Sequence, residues 1–275
     1  MNPLEFIKFT PKTNCGECNH PTCLAFAVAV TKGGADPAGC PYVDPEILNA
    51  AARVESEGPG LEAVRRGQDE RDIALVAHLK AKIRDMDFAR AAPLLGAERY
   101  AESPGVLRFI YLGRCVVLGK DELRMDGSGP VDPRDQILLY NYVFSGGAAA
   151  PLLDWVGMES LPNSISKVRT LAAYCEQPLA RRFGGRAQRL EAICRRLGAF
   201  PGPDNQSAAV AAIIPVLPRV PFYLLFWDEE PEDGFESRVK ILFDRRALDF
   251  LDLESLVFSA ERTAERILEF DSRGG

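Results

Sequence analysis

The chain has 275 residues, 47% of them hydrophobic, and 33 Lys and Arg against 39 Asp and Glu, for a formal net charge of −6. Those figures suit one small and one larger domain, each with its own core. The acidic balance, with no long Lys/Arg run to neutralise phosphates, excludes a general nucleic-acid binder.

The N-terminal MNPLEFIKFTPK lacks the charged region and long apolar run of a signal peptide. The longest apolar run, Ala208 to Leu217, is too short to span a membrane and contains Pro215. A cytoplasmic protein without a membrane span is expected, and seven cysteines fit a reducing compartment. Leu4 to Phe9 reads as a short element leading into Pro11.

Next come Cys15, Cys18, Cys23 and Cys40, spaced C-x2-C-x4-C-x16-C and followed by Pro41. Loops this short gain little from a disulfide, and four converging thiolates repel one another unless a cation neutralises them. Two centres meet that need, a structural zinc or a [4Fe-4S] cluster. Zinc ribbons usually pair two C-x2-C knuckles, whereas here one loop carries three cysteines and a helix precedes the fourth. Asn14, Gly16, Asn19 and His20 are the residues expected to give the loop its tight turns. With four cysteines completing a ligand set, His20 reads as a loop residue. Pro21 suits a first helical position, and Thr22 to Lys32 reads as a helix rich in small residues, broken by Gly33 and Gly34. Its N-terminus at Cys23 favours thiolate through the partial positive charge there.

Asp44 and Pro45 open a further expected helix, Glu46 to Glu55, and SEGPG at 56–60 marks a domain boundary near residue 57. The expected architecture is α+β: a helical cluster domain over 1–57, then over 58–275 a mixed domain with an antiparallel sheet and flanking helices. Between Leu61 and Arg84, Ile73, Val76, Ala77 and Ile83 approximate a helical stripe, with the stem of Lys80 filling its gap. His78 lies on that helix without a ligand partner. VLRFIYL and RCVVLG within Val106 to Met125 read as a hairpin turning at Gly113. Asp132-Pro133 opens a helix carrying Ile137, Leu138, Tyr140, Asn141 and Phe144, stopped by Gly146-Gly147. Trp155 to Leu161 reads as a strand. Ile165 to Phe183 reads as a helix interrupted at Pro178, and Ala187 to Leu197 as another.

Strands follow over Ala209 to Val216, Val220 to Trp227 and Arg238 to Phe243, then helical segments Leu248 to Leu251 and Glu254 to Phe270. The acidic stretch Asp228 to Glu236 reads as a solvated loop rather than a cation site. Arg65-Arg66, Arg181-Arg182, Arg195-Arg196 and Arg245-Arg246 read as scattered helix-surface charge. Cys115, Cys175 and Cys194 stand singly and read as buried apolar thiols.

CGECNHPTCLAFAVAVTKGGADPAGCP resembles the four-cysteine [4Fe-4S] domain of the corrinoid iron-sulfur protein large subunit, the gamma subunit of acetyl-CoA decarbonylase/synthase. It is also similar to the cluster domain of the Rnf complex B subunit. Cys-Gly-x-Cys, the T-C-x-A-F-A run from Thr22, Gly33-Gly34 and Cys40-Pro41 carry the resemblance, over roughly the first fifth of the chain. From about Asp69 onward, DQILLYNYVFSGG, LPRVPFYLLFWDEE and RVKILFDRRALDFLDLESL resemble an uncharacterised domain of iron-sulfur proteins from anaerobes, which implies no catalytic residues. The resemblance implies a one-electron carrier, with a corrinoid protein or a ferredoxin as partner and an anaerobic setting. The chain lacks the long corrinoid-binding barrel of that subunit, and one module does not transfer a whole protein's function. No phosphate loop, G-x-S-x-G or nucleophile-base pairing is present, so electron transfer is expected ahead of catalysis. The alternatives are a cluster-dependent enzyme or sensor with its pocket in the larger domain, and a structural zinc protein.

Overall fold

The computed structural model describes residues 3–33, 35–43, 61–99, 105–127, 129–146, 149–203, 207–230 and 232–273. The chain divides into two compact units, Met1–Asp69 and Glu70–Gly275. The expected helix Glu46 to Glu55 and the boundary near residue 57 lie outside the described residues.

In the first unit a single helical turn, α1 (Pro3–Phe6), runs into a 3-10 turn, Ile7–Phe9. The cysteine loop follows, then α2 (Cys23–Gly33) and a second 3-10 turn, Pro37–Gly39. Pro21 does not open α2. Thr22 caps it instead, its hydroxyl accepting the Ala25 N–H at 3.0 Å and its carbonyl the Phe26 N–H at 3.0 Å. The core is small: Phe6, Phe26, Ala27, Cys40 and Val43, with Ile7, Cys18 and Val30 packed on it.

The helix α3 (Leu61–Ile83) crosses the division at residue 69, and its later turns bury Val76, Leu79 and Ile83 in the core of the second unit. The expected stripe is displaced: Ile73 is 60% exposed and Ala77 is also exposed, because the i, i+3, i+7 set that faces the core starts at Val76. After α4 (Phe88–Leu95), capped by Asp87, a four-stranded antiparallel sheet is laid down in sequence order by β1 (Glu98–Arg99), β2 (Val106–Tyr111), β3 (Arg114–Gly119) and β4 (Leu123–Met125). Leu112 and Gly113, both at positive φ, form the two-residue turn between β2 and β3, the geometry whose twist matches antiparallel strands.

The helix α5 (Pro133–Ser145) is capped by Asp132 and stopped by Gly146 in the left-handed region. It buries Leu138, Leu139, Tyr140, Tyr142 and Val143, while Phe144 is exposed. The expected strand from Trp155 shortens to β5 (Trp155–Val156), because a 3-10 turn takes over at Met158–Ser160. From Ile165 to Phe183 the chain stays helical: α6 (Ile165–Leu171), a π turn (Ala172–Glu176) and α7 (Gln177–Phe183). Pro178 therefore does not break the rod. The widened turn before it absorbs the hydrogen bond that proline cannot make, and Pro178 sits at the start of a fresh α segment.

After α8 (Ala187–Arg196), a second antiparallel sheet has the order β5-β9-β8-β7-β6. Its members are β6 (Phe200–Pro201), β7 (Val210–Leu217), β8 (Val220–Trp227) and β9 (Arg238–Asp244). Pro215 and Pro221 face one another near the β7–β8 turn, where the register shifts between Pro215 and Leu217; a bulge is where a sheet tolerates a missing donor. Residues 220–226 of β8 are buried on both faces, one toward the main core and one under a smaller cluster of Ile213, Tyr223 and Leu225. A 3-10 turn, Ala247–Asp249, leads into the long α9 (Leu253–Arg273). The α+β class stands. The short strands β1 and β6 carry too few residues to show an alternating pattern.

Two buried carboxylates fasten α9. Asp135 of α5 accepts from Arg262 at 2.8 and 2.6 Å and from the Tyr111 hydroxyl at 2.9 Å. Asp271 accepts from Arg182, Arg186 and Arg189 at 2.6, 3.0 and 2.9 Å. Burial, and then the Asp135 charge, push the Tyr111 hydroxyl well above its ordinary value.

Candidate metal centre

The loop between Thr10 and Thr22 is built on left-handed backbone. Lys12, Asn14 and Gly16 have φ of +57°, +53° and +78°, every second residue, and Asn19 follows at +62°. Alternation of this kind turns successive N–H groups to one side, making a concavity suited to anions and iron-sulfur sites. Hydrogen bonding from the backbone of Asn14, Lys12 and Thr13 acts to lower the Cys23 thiol pKa. The Thr10 hydroxyl, bonded to the Ile7 carbonyl at 2.9 Å, stands within reach of the same sulfur. The Asn14 N–H contributes most to holding the Cys23 thiol below its ordinary range, against the opposing effect of burial. Asn14 also returns a bond, its Oδ1 accepting the Cys23 N–H at 2.8 Å, so loop and helix are locked together at a cysteine.

The other three cysteines lie at different depths. Cys40 is buried in the Phe6–Phe26 cluster, Cys18 packs on that cluster from a half-buried position, and Cys15 is exposed. Next to Cys15, Gly16 has nothing within 4 Å of where a side chain would begin. The Tyr42 hydroxyl donates to Glu17 Oε1 at 3.1 Å. That bond and the Glu17 charge raise its pKa, with smaller contributions from burial and from Cys15 and Cys40. Asn14, Gly16 and Asn19 make the turns expected of them. His20 does not; it lies against Phe26 at 5.4 Å between ring centroids and covers the small core.

Among the described residues no three His, Cys, Asp or Glu side chains are grouped as metal ligands, and all seven cysteines are free thiols. The donor set nevertheless suits a thiophilic centre: four sulfurs, one of them with its thiol pKa already lowered, with apolar packing on one side and open space beside Cys15. Lys12 and Thr10 were not legible as parts of this site, since neither residue type signals a left-handed turn or a sulfur contact. Cys175 and Cys194 are fully buried, and burial pushes each thiol up to about 12. Cys115 departs from the expectation of a buried thiol. It is half-buried, and its Sγ accepts from Arg108 Nε at 3.3 Å. His78 is exposed on α3. The acidic stretch 228–236 carries a bridge between Glu230 and Phe235, and Asp228 accepts the Gly185 N–H at 2.7 Å.

Residues 11–42 match the family described as "Putative Fe-S cluster", and residues 87–266 match the one described as "Domain of unknown function (DUF3786)". The chain is similar to the corrinoid/iron-sulfur protein large subunit of Moorella thermoacetica, 54% identical over 55 residues that make up 19% of this chain and 12% of that protein. It is similar to the acetyl-CoA decarbonylase/synthase complex subunit gamma 2 of Methanosarcina thermophila, 34% identical over 77 residues, 27% of this chain and 16% of that one. Subunit gamma 1 of Methanosarcina mazei is 37% identical over 73 residues, 26% of this chain and 16% of its own length. This chain thus spans about an eighth to a sixth of the curated relatives it matches. No solved structure matches it. The matches to the N-terminal loop support an iron-sulfur protein.

Proposed function

The chain belongs to the DUF3786 family, and we propose that it is a [4Fe-4S] protein whose cluster is held by Cys15, Cys18, Cys23 and Cys40 and which passes single electrons to a partner protein. The observation that carries this reading is the left-handed run Lys12, Asn14 and Gly16, whose backbone N–H donors are tied to Cys23 by the 2.8 Å bond from the Cys23 N–H to Asn14 Oδ1. Such donors favour an anionic sulfur and raise the potential of a cluster bound to it. When bound, the cluster supplies one-electron chemistry. The chain's own residues do the rest: Asn14 fixes the loop against α2, and Phe6, Phe26 and Val43 keep water from the inner side. Four cysteine ligands leave no open coordination position for a substrate, which favours a carrier over a catalyst.

The partner we propose is a corrinoid protein or a ferredoxin, since the relatives' names join iron-sulfur to corrinoid chemistry. We take residues 1–57 as the cluster domain and 58–275 as the domain that selects the partner. No helix among the described residues is long and apolar enough to cross a membrane, which accords with a cytoplasmic setting.

The test is anaerobic purification with iron, sulfide and zinc analysis, then EPR after dithionite. About four iron and four sulfide per chain are expected from the cluster chemistry, with reoxidation of the reduced protein by a candidate corrinoid protein. Stoichiometric zinc without sulfide would sink the cluster reading. Cys→Ala at each of the four positions is expected to lower iron content sharply, and a variant with unchanged iron, sulfide and visible spectrum would remove that residue from the ligand set.

A further inference from the structure

Along β9, alternate residues point their backbone groups away from β8. The Arg245 N–H donates to the Asp154 carbonyl at 2.9 Å, Phe243 pairs with Val156 of β5, and the Ile241 N–H donates to Glu176 Oε1 at 3.0 Å. By the same alternation the N–H and C=O of Val239 point to that edge, where β5 no longer reaches. Backbone groups away from water are nearly always paired, so this edge is a place where a partner is wanted.

A cavity of about 380 Å³ lies there, lined by Ala172, Glu176, Gln177 and Ala180 on the helical side and by Trp227 and Ser237 to Lys240 on the sheet side. Its size is within the range of small-molecule sites. The helical wall starts in the π turn, an irregularity frequent at functional sites, and continues into α7. The small side chains of Ala172 and Ala180 leave the space, and Ser237, donating to the Ala180 carbonyl at 2.8 Å, holds the two walls together.

The polar groups define the chemistry. Lys240 lies between Glu159 at 3.4 Å and Glu176 at 3.8 Å and is neutralised by them. Arg238 has no carboxylate within ion-pair distance among the described residues; its guanidinium rests on Trp227, 4.4 Å from the ring centroid. The indole is itself pinned, Nε1 donating to Ser207 Oγ at 3.1 Å.

We propose that this cavity binds a small planar anion with an amide-type edge, a donor beside an acceptor, the edge pairing with the Val239 backbone and the anionic group with Arg238. A donor–acceptor edge complements a strand edge as a neighbouring strand would. A flat molecule suits a slot between a strand edge and a helix, and a carboxylate or phosphate supplies the charge that Arg238, held on Trp227, lacks.

Orotate, uracil and benzoate separate these features, since orotate has an imide edge and a carboxylate while each of the others has one of the two. Titration calorimetry on the full chain is expected to show saturable binding of orotate at one site. Uracil and benzoate are each expected to bind about tenfold or more weakly, a loss of ~1.4 kcal/mol. Arg238→Gln, at an exposed position, should bring orotate down to the level of uracil. Ala172→Phe should abolish binding of all three while the circular dichroism spectrum is retained. No saturable orotate binding, benzoate binding equal to orotate, or orotate binding unchanged in Arg238→Gln would each overturn the proposal. None of these readouts depends on iron content, so the result is independent of whether the loop holds a cluster.

Discussion

Asn14 shows how much one side chain decides in the cysteine loop. It holds a φ of +53°, accepts the Cys23 N–H and contributes most to lowering the Cys23 thiol pKa. Asn14→Gly keeps the backbone conformation and loses the side-chain bond, at about 1 kcal/mol. Asn14→Ala loses the bond and also strains a left-handed position, adding roughly 1–2 kcal/mol. Iron release to a chelator is therefore expected to be fastest in Asn14→Ala, intermediate in Asn14→Gly and slowest in the wild type. Equal rates in all three would show that the loop conformation does not depend on this residue. Asn14, Gly16 and Asn19 were legible in the sequence because these residue types tolerate positive φ at little cost. Lys12 was not legible, because its conformation is imposed by its neighbours. The same holds for Leu112, which turns a hairpin at φ +46° while almost fully buried.

For whole elements, the informative case is α9 and the three arginines of α7 and α8 that meet it. The bond from Arg189, with those from Arg182 and Arg186, holds the Asp271 carboxyl below the usual carboxylate range against the effect of burial. A folded-state pKa below the unfolded value, about 3.9, means stabilisation that is complete at neutral pH and is lost as pH falls through about 4 toward the folded value. Asp271→Asn is expected to cost about 2 kcal/mol at pH 7, less than a fully buried pair would because the arginines are half exposed. Urea unfolding at pH 7 and pH 3 would measure it, and the variant should show the smaller acid-induced loss of the two proteins. Helices announced by a cap and a stop, such as α5 between Asp132 and Gly146, could be read directly. The π turn could not, because the proline signal at 178 says only that a hydrogen bond is missing, and tertiary packing decides which turn widens to accommodate it.

At the scale of the molecule, the α+β class followed from hairpin and helix periodicity, since long strands such as β8 lie between clear turn signals. The two-residue strands β1 and β6 and the buried Asp135 and Asp271 were not legible, because long-range pairing leaves no local pattern. The separation of the cysteines into four within residues 15–40 and three dispersed was readable from spacing alone. Cys175 and Cys194 are fully buried in the large core and Cys115 lies on β3 against Arg108. The triple variant Cys115→Ser, Cys175→Ser, Cys194→Ser is expected to be less stable, since two hydroxyls are then buried without designed partners. It should still hold a full complement of iron per folded chain. A folded triple variant without iron would place a ligand in the larger unit.

The fastening of α9 has a consequence for the order of events at the ribosome. Asp135 waits for Arg262, and Arg182, Arg186 and Arg189 wait for Asp271, so the larger unit cannot complete these pairs until Asp271 has been translated. The cysteine loop needs nothing beyond Val43 among its described contacts. Because chains emerge N-terminus first at about 5–20 residues per second, roughly 230 residues separate Val43 from Arg273, an interval of about ten seconds or more. Metal loading is then expected to precede folding of the larger unit. Nascent chains stalled before Leu253 should retain iron when supplied with a cluster source yet be cut freely by protease between residues 105 and 246. Protease resistance of the stalled chain would show that the larger unit closes without its final helix.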